Sequence, residues 1–293
     1  MTETIVTSIA VLLRIFSNPF GNVFQKQLTE EGRNPLFVNF FTYLLLSIIC
    51  VPFAININWS MFDEQFWLFS VLGGLAGAAG NGFLVKALQK GELSILGPIN
   101  SYKSVVGIIG GIILLGEFPN LWGMFGICLI IYGSYFVLDT TKEKFSFALL
   151  KRSDIQFRFF AMILTAIEAV FIKRVIVSSS PSVAFLCWCF FGAIFSFAII
   201  FLFSLDVKKE VRILSIRDLR KYIFLILCIG VMQFSTNYAF AHMQVGYALS
   251  LFQLSIIISV FLGHRIFKEK DVAKKLIGSV IMILGSILII LLK

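Results

Sequence analysis

The sequence predicts an all-α integral membrane protein in which ten transmembrane helices form two inverted five-helix repeats. Three observations lead to this fold class: an apolar composition, a set of ten apolar stretches and a pattern that occurs twice. Hydrophobic residues make up 58% of the 293 residues and charged residues only 14%, whereas soluble domains are nearer a quarter charged. The chain is therefore expected to lie in a membrane.

Each half of the chain ends with a glutamate and two glycines at the same spacing. The two copies are Glu117-x8-Gly126-x6-Gly133 and Glu269-x8-Gly278-x6-Gly285. Shorter matches upstream are Val23-Phe24-Gln25-Lys26 with Val170-Phe171-Ile172-Lys173, and Gln89-Lys90-Gly91 with Gln244-Val245-Gly246. A repeat among apolar spans is typical of secondary transporters, whose substrate site lies between the halves. We predict repeats at residues 1–140 and 141–293.

Ten apolar stretches approach the length of about 20 residues that a helix needs to cross a bilayer. They lie near 5–25, 36–56, 66–87, 93–115, 120–138, 158–177, 183–204, 220–241, 247–267 and 273–292. Because each repeat has an odd number of spans, the second repeat enters the membrane with the opposite orientation. The longest polar connections are too short to form a soluble domain.

Basic residues concentrate in the connections after spans 1, 3, 5, 7 and 9. These connections hold about twenty lysines and arginines, including the run from Lys142 to Arg158, and only Lys173, Arg174 and Lys293 lie opposite. The positive-inside rule places the basic connections in the cytoplasm and both termini outside a plasma or inner membrane. Orientation thus explains the net charge of +9. We predict membrane lipid, and no nucleic acid, as a partner.

The turn before each closing span carries a resemblance to a known family. The two turns read Leu114-Leu115-Gly116-Glu117-Phe118-Pro119 and Phe267-Lys268-Glu269-Lys270, with lysine replacing glycine in the second. With two five-span repeats, they resemble the EamA-type members of the drug/metabolite transporter superfamily. The resemblance implies a ten-helix basket around a cavity lined mainly by helices 1, 3, 4, 6, 8 and 9. It also implies export of small metabolites and cytoplasmic termini, and the latter conflicts with the charge distribution.

Several prominent residues have structural interpretations. An acidic residue beside a helix N-terminus is favourable, so Glu117 and Glu269 are expected to stabilise the closing helices. Glycines in spans 3 and 4 are expected to let helices approach closely; they are Gly73, Gly77, Gly80, Gly107, Gly110 and Gly111. The tryptophans lie mainly near predicted span ends, where indoles favour the membrane interface; they are Trp59, Trp67, Trp122 and Trp188.

Three charged residues lie near the middle of predicted spans: Arg14 in span 1, Lys103 in span 4 and Glu168 in span 6. A charge at this depth costs about 2.5–3.5 kcal/mol on insertion scales, so it is expected to face the bundle interior and mark a pathway. The alternative is an ion pair of Glu168 with Lys103 or Arg14 that locks the halves together. In either case one positive charge is left over.

Seven amide side chains are predicted to line the same pathway. Asn18 and Asn22 follow Arg14 at four-residue intervals and form one polar face of the first helix. The full set is Asn18, Asn22, Asn81, Asn100, Gln233, Asn237 and Gln253. The alternative is that these amides form hydrogen bonds between helices, worth about 0.6 kcal/mol each, without lining a pathway.

The surplus positive charge predicts a small-molecule substrate with a carboxylate or phosphate, such as an amino acid or organic anion. We expect alternating access between the repeats, with export as the favoured direction. Glu168 would receive an amino group or carry a coupled proton. Two alternatives remain open: export of hydrophobic cations with Glu168 as the acceptor, and flipping of an anionic lipid-linked substrate. The functional unit is expected to be a monomer.

Other function classes find little support in the sequence. The chain has neither a His-Glu-x-x-His metal pair nor a Gly-x-Ser-x-Gly nucleophile turn, so we do not predict an enzyme. The cysteines lack the paired spacing of a structural zinc site, and no cofactor or metal is predicted. A channel is disfavoured because no ring of repeated charges occurs.

Overall fold

A computed structural model describes residues 2–103, 105–106, 120–141 and 147–291. These residues contain no strand. The helices are α1 (Thr2–Glu30), α2 (Pro35–Ala54), α3 (Glu64–Lys90), α4 (Leu93–Ile99), α5 (Leu121–Leu138), α6 (Ser153–Ser178), α7 (Pro181–Leu202), α8 (Ile216–His242), α9 (Val245–Phe252), α10 (Ser255–Phe267) and α11 (Val272–Leu291). A short helix, Val207–Arg212, precedes α8, and 3-10 segments lie at Trp59–Met61, Asn100–Tyr102 and Phe147–Lys151. The turn around Glu117 and the glycines of span 4 lie outside the described residues.

Polar side chains set the starts of five of these helices. Asn34, Asp63, Asn120, Ser180 and Ser215 each accept a hydrogen bond from a backbone N–H in the first turn of the following helix. Such caps satisfy N–H groups that have no partner within the helix. These capping residues are polar and lie between apolar stretches, so the starts of the helices can be recognised in the sequence.

Seven described helices are long and apolar enough to cross a membrane: α1, α2, α3, α5, α7, α8 and α11. Large apolar side chains are exposed along them, as expected of surfaces that face lipid. The all-α membrane class is therefore confirmed. Helix α6 is equally long but is not among the seven; its charged residues are Asp154, Arg158, Glu168, Lys173 and Arg174.

Predicted spans 4 and 9 are not continuous helices, contrary to the sequence-based expectation. Helix α4 contains Pro98 and gives way to a 3-10 turn at Asn100. A proline in a helix removes one backbone hydrogen bond and clashes with the preceding turn, which accounts for this interruption. In span 9, α9 ends at Phe252 and α10 begins at Ser255. No proline lies at this second break, where the backbone bonds span three residues instead of four.

The helices of the two halves pack against each other in reciprocal pairs. Helix α1 packs on α8 and α3 on α6, so the first and third helices of one half meet the third and first helices of the other. Three further pairs, α2 with α7, α4 with α10 and α5 with α11, join equivalent helices. Helix α3 also packs on α7, a contact that α8 and α2 match only weakly. The described helices of the two halves therefore interleave.

The repeated glycines bring α5 and α11 into backbone contact. A Cβ atom added to Gly133 would lie 2.6 Å from the carbonyl oxygen of Gly278, and one added to Gly126 would lie 2.7 Å from that of Gly285. Any larger residue would collide with backbone. Since the earlier glycine of one helix meets the later glycine of the other, the two helices are antiparallel.

Two glycines of α3 also permit a close approach, to α6. A Cβ atom at Gly77 would lie 2.5 Å from Oε1 of Glu168, and one at Gly80 would lie 2.8 Å from the Thr165 side chain. At Gly73 the nearest atom would be 3.5 Å away, an ordinary contact. The close packing predicted for span 3 is confirmed at the two later glycines.

The connections that hold most basic residues meet on one face of the molecule. We call it the basic face; its described connections are 31–34, 91–92, 139–141, 147–152, 203–215 and 268–271. Ion pairs join them: Lys221 with Glu31, Arg33 with Asp218, Lys274 with Asp139, and Lys275 with Glu92. The opposite face holds the connections 55–63, 179–180 and 243–244.

Candidate functional site

A cavity of about 110 Å³ lies between the two halves. Residues of α1, α3, α4, α6, α8, α9 and α10 line it, which correspond to the helices that the family resemblance predicts. One water molecule needs at least about 10–15 Å³ on this measure. The space therefore accommodates several waters or a small solute.

Eight of the ten residues predicted from the sequence line this cavity. They are Arg14, Asn18, Asn22, Asn81, Asn100, Lys103, Glu168 and Gln233. Asn237 and Gln253 are not among the lining residues. Asn237 is fully buried, donates to the carbonyl of Pro181 and accepts from Gln233, so it ties the start of α7 to α8. Gln253 lies buried at the break between α9 and α10.

The carboxylate of Glu168 is held by a tryptophan of α7. The Trp188 indole donates a hydrogen bond of 2.6 Å from Nε1 to Oε1 of Glu168. Trp188 is 1% exposed, so its predicted place at the membrane interface is wrong. Its ring packs on Tyr43 with centroids 4.6 Å apart, and the hydroxyl of Tyr43 accepts a hydrogen bond from Asn81. Although it lies in an apolar span, this indole has a buried polar partner, as is usual for buried tryptophans.

Glu168 does not form either of the ion pairs considered from the sequence. No basic atom of the described residues, including those of Arg14 and Lys103, lies within 4.0 Å of its carboxylate. The carboxylate instead relies on the Trp188 indole. The ion-pair interpretation is therefore wrong for this structure, and the charges that line the cavity remain available to a solute.

Arg14 reaches from α1 to the second half of the chain. Its Nε donates to Oγ1 of Thr236 at 2.9 Å, and its guanidinium carbon lies 5.0 Å from the ring centroid of Phe252. Its Nη1 is buried without a hydrogen-bond partner among the described residues. A guanidinium with an unused buried donor is suited to bind an anionic group.

Arg158 lines the cavity, whereas the sequence predicted it in the cytoplasmic basic run. Helix α6 begins at Ser153, five residues before the predicted span. The Arg158 side chain donates from Nε to the carbonyl of Leu96 at 2.7 Å and from Nη2 to Oδ1 of Asn100 at 3.0 Å. The interruption after α4 frees the Leu96 carbonyl, because the Asn100 N–H bonds to Gly97 and Pro98 instead. In the sequence, Pro98 was the residue that could have indicated this interruption of the helix.

The described part of the cavity carries more positive than negative charge. Arg14, Lys103 and Arg158 face a single carboxylate, that of Glu168. The ammonium group of Lys103 has neither a hydrogen-bond partner nor an ion-pair partner among the described residues. Charged groups at membrane depth are costly unless they are paired or face a polar pathway. This arrangement favours binding of an anion.

The second signature glutamate is structural, but it does not stabilise the helix that follows it. Glu269 is buried and accepts hydrogen bonds from the backbone N–H groups of Leu93 and Ser94, at 2.8 and 2.9 Å, and from the Ser94 hydroxyl. It therefore caps α4 in the other half of the chain, where its negative charge complements the positive helix N-terminus. Gly263 leaves room for this carboxylate.

Comparison with known proteins gives two curated relatives and a shared fold. A protein of Sinorhizobium sp described as an uncharacterized transporter in the cobO 3' region is 30% identical over 96 residues, which are 32% of this chain and 68% of the relative. An uncharacterized protein of Methanocaldococcus jannaschii is 31% identical over 117 residues, which are 39% of this chain and 82% of the relative. One crystal structure matches with a TM-score of 0.67 over 99% of this chain and 97% of the other at 14% identity, so this likeness concerns the fold alone.

A match to a family model shows which protein family the chain belongs to. This family model is described as the EamA-like transporter family and matches residues 6–139 and 154–291, which together span almost the whole chain. The described helices, the apolar surfaces and the central cavity agree with a multi-pass membrane protein of this type. The chain therefore belongs to the EamA-like transporter family and is a membrane transporter.

Proposed function

We propose that this transporter exports a small metabolite with a carboxylate or phosphate group, such as an amino acid or organic anion, by alternating access between two inverted repeats. The repeats are residues 1–140 and 141–293, with five membrane spans each. The observation that carries the proposal is the surplus of positive charge around the cavity between the halves. An anionic solute would neutralise these buried groups, whereas a cation would add to their mutual repulsion.

Four features support the inverted repeats. The family model matches the chain twice, the interhelical pairs are reciprocal between the halves, and α5 and α11 are antiparallel. The fourth is that span 4 and span 9 are both interrupted next to the cavity. Discontinuous helices at equivalent places in two inverted repeats are a recurring arrangement around transporter substrate sites.

A matched pair of lysines supports the repeats at atomic level. Lys26 and Lys173 occupy equivalent places in the repeated Val-Phe-x-Lys segment. The Lys26 amine donates to the carbonyls of Gly91 and Leu88 at the end of α3, at 2.6 and 3.4 Å. The Lys173 amine donates to the carbonyl of Phe240 at the end of α8. Each lysine thus ties the first helix of its half to the last turn of the third.

The cavity residues suggest separate roles in binding. Arg14 would grip a carboxylate or phosphate with its planar guanidinium, while Lys103 would act as a point charge. Glu168 would accept an amino group of the solute or carry a proton that the solute displaces. Asn18, Asn22 and Asn81 would supply neutral hydrogen bonds. The transporter would act as a monomer in the cell membrane, with the basic face in the cytoplasm.

The proposal is tested by a thermal-shift screen of the purified protein, because a ligand that binds only the folded state raises its melting temperature. The panel contains amino acids, organic anions, phosphorylated metabolites, lipid-linked anions and hydrophobic cations. We expect anions or zwitterions to stabilise the wild type, and Lys103→Met to abolish this effect. Lys90→Met, which removes an exposed charge outside the cavity, is the matched control and should retain it.

The same screen separates the rival functions. Stabilisation by cations alone, lost in Glu168→Gln and retained in Lys103→Met, would overturn the proposal and favour a multidrug exporter. Stabilisation by lipid-linked anions but by no free anion would indicate a flippase. Uptake into proteoliposomes of the stabilising compound then establishes that the bound solute is also transported.

A further inference from the structure

Arg158 gives the cavity a cationic region apart from the one around Glu168. Both residues lie on α6, ten positions apart, which corresponds to about 15 Å along a helix axis. Arg14 on α1, Lys103 just after the 3-10 segment that follows α4, and Arg158 on α6 all line this cavity. Cationic groups therefore reach the cavity from three parts of the chain.

The hydrogen bonds of Arg158 give two of its nitrogen atoms an acceptor, but they do not neutralise its positive charge. Its two acceptors, the Leu96 carbonyl and Oδ1 of Asn100, are both neutral. Asp154, one turn earlier on α6, pairs with Arg152 at 2.7 Å. Among the described residues no carboxylate lies within 4.0 Å of the guanidinium of Arg158. The residue as a whole is 8% exposed. A buried charge of this kind is costly unless a counter-ion reaches it.

We propose that the preferred solute carries two anionic groups, one bound at Arg14 and the other at Arg158. The inference rests on the proposed function and narrows its substrate class from anions in general to dicarboxylates and related dianions. Three cations and one carboxylate leave a surplus of two positive charges among the described lining residues, and a dianion balances this surplus. A monoanion would leave one arginine without a counter-ion.

The test compares acids that match in chain length and differ in charge. Dicarboxylates of increasing length, from succinate to suberate, are titrated against the purified wild-type protein, each beside the monocarboxylate of the same chain length, and the concentration for half-maximal thermal stabilisation is measured. We expect that concentration to be at least roughly tenfold lower for the dicarboxylates, the effect of one additional charge-assisted hydrogen bond. The ratio of the monoacid value to the diacid value is the quantity compared between variants.

Asn100→Asp is the most informative variant. It keeps an acceptor oxygen beside Arg158 and supplies the missing negative charge from the protein itself. We expect the ratio to fall to about one. Gln156→Glu, an exposed position on α6 outside the cavity, adds the same charge and should leave the ratio at its wild-type value. Arg158→Lys should retain part of the preference, and Arg158→Gln should abolish it.

The outcomes distinguish this inference from the proposed function. A wild-type ratio near one, with both kinds of acid stabilising the protein, would overturn the dianion inference and leave the anion transporter standing. An unchanged ratio in Asn100→Asp or, if that variant does not fold, in Arg158→Gln would overturn the role of Arg158. Absence of stabilisation by any acid, with stabilisation by cations, would overturn the proposed function and the inference together.

Discussion

The basic face and the opposite face of the molecule are held together to very different degrees. On the basic face, polar contacts link the two halves at several places: Glu269 to the start of α4, Lys275 to Glu92 and Ser94, Lys274 to Asp139, Lys221 to Glu31, and Arg33 to Asp218. On the described part of the opposite face the corresponding contact between the halves is that of the His242 imidazole with the Glu3 carboxylate, at 3.7 Å, which is an ion pair only when the imidazole is protonated. Glu3 is 75% exposed.

The helix packing and the polar contacts at the helix ends give different pictures of the two faces. The main helix pairs are reciprocal between the halves, although α3 packs on α7 more extensively than α8 packs on α2. The ion pairs between the halves, in contrast, lie mostly on the basic face. Under the alternating access that we propose, each face would open in turn. Opening of the basic face would therefore require its contacts between the halves to break, and the variants below measure how much each contributes.

The largest effect is expected at Glu269. Replacement by alanine removes the acceptor for two buried backbone N–H groups of α4 and for the Ser94 hydroxyl. Leaving buried donors without partners should lower the free energy of unfolding by roughly 3 kcal/mol or more. The measurement is the melting temperature of the purified protein in detergent. Glu269→Gln keeps one acceptor and should lose less; equal stability of wild type and Glu269→Ala would refute the cap.

A smaller effect is expected at Lys275, whose side chain is 2% exposed. Its amine bonds to Glu92 at 2.5 Å and to Ser94 at 2.9 Å. Lys275→Met should cost about 1.5 kcal/mol, the lower limit for bonds to charged groups, because Glu92 itself is half-exposed. The matched control is the neighbouring Lys274→Met, which breaks an exposed pair with Asp139 and should leave the melting temperature unchanged. An equal fall in melting temperature in both variants would show that burial of the lysine does not determine how much its ion pair contributes to stability.

The equivalent lysines of the two repeats allow the most direct comparison of the faces. Lys26, on the basic face, is buried, pairs with Glu30 at 3.2 Å and lies 5.0 Å from the ring of Phe267 in the other half. Lys173 is partly buried and bonds to Phe240. Lys26→Met should cost about 1–1.5 kcal/mol and Lys173→Met less, measured by thermal unfolding. A larger loss of stability in Lys173→Met than in Lys26→Met would contradict the conclusion that the basic face is the more firmly held of the two.

The sequence predicted the parts of this structure in which a residue type conflicts with its surroundings. A charge or amide in an apolar span is costly, so Arg14, Lys103, Glu168 and several amides could be assigned to a cavity. The glycines of α5 and α11 recur at a seven-residue spacing because only a residue without Cβ allows the backbones to touch there. The glycine pattern occurs in both halves, which supported the fold class.

Other features could not be predicted because their signals are ambiguous. Arg158 lies near a span end, where a basic residue usually marks a loop, and its assignment required knowledge of the carbonyl freed beside Pro98. Trp188 lies in a position compatible with an interface, and its partner Glu168 is on another helix. Glu269 caps a helix 175 residues away in sequence, a contact that depends on the packing of the halves.

The smallest effect is expected on the opposite face, at the pair of Glu3 and His242. The side chain of Glu3 is largely in solvent, and the His242 ring also contacts the carbonyl of Tyr238 at 2.8 Å and stacks on the Tyr238 ring. Exposed ion pairs contribute little because water and salt screen them. Glu3→Gln should therefore leave the melting temperature within experimental error at both low and high salt.

A salt-dependent loss of stability as large as that of Lys275→Met would mean that the opposite face is also held by charge. The contrast between the faces would then rest on contacts such as the Glu269 cap, in which a buried side chain of one half accepts hydrogen bonds from buried backbone groups of the other.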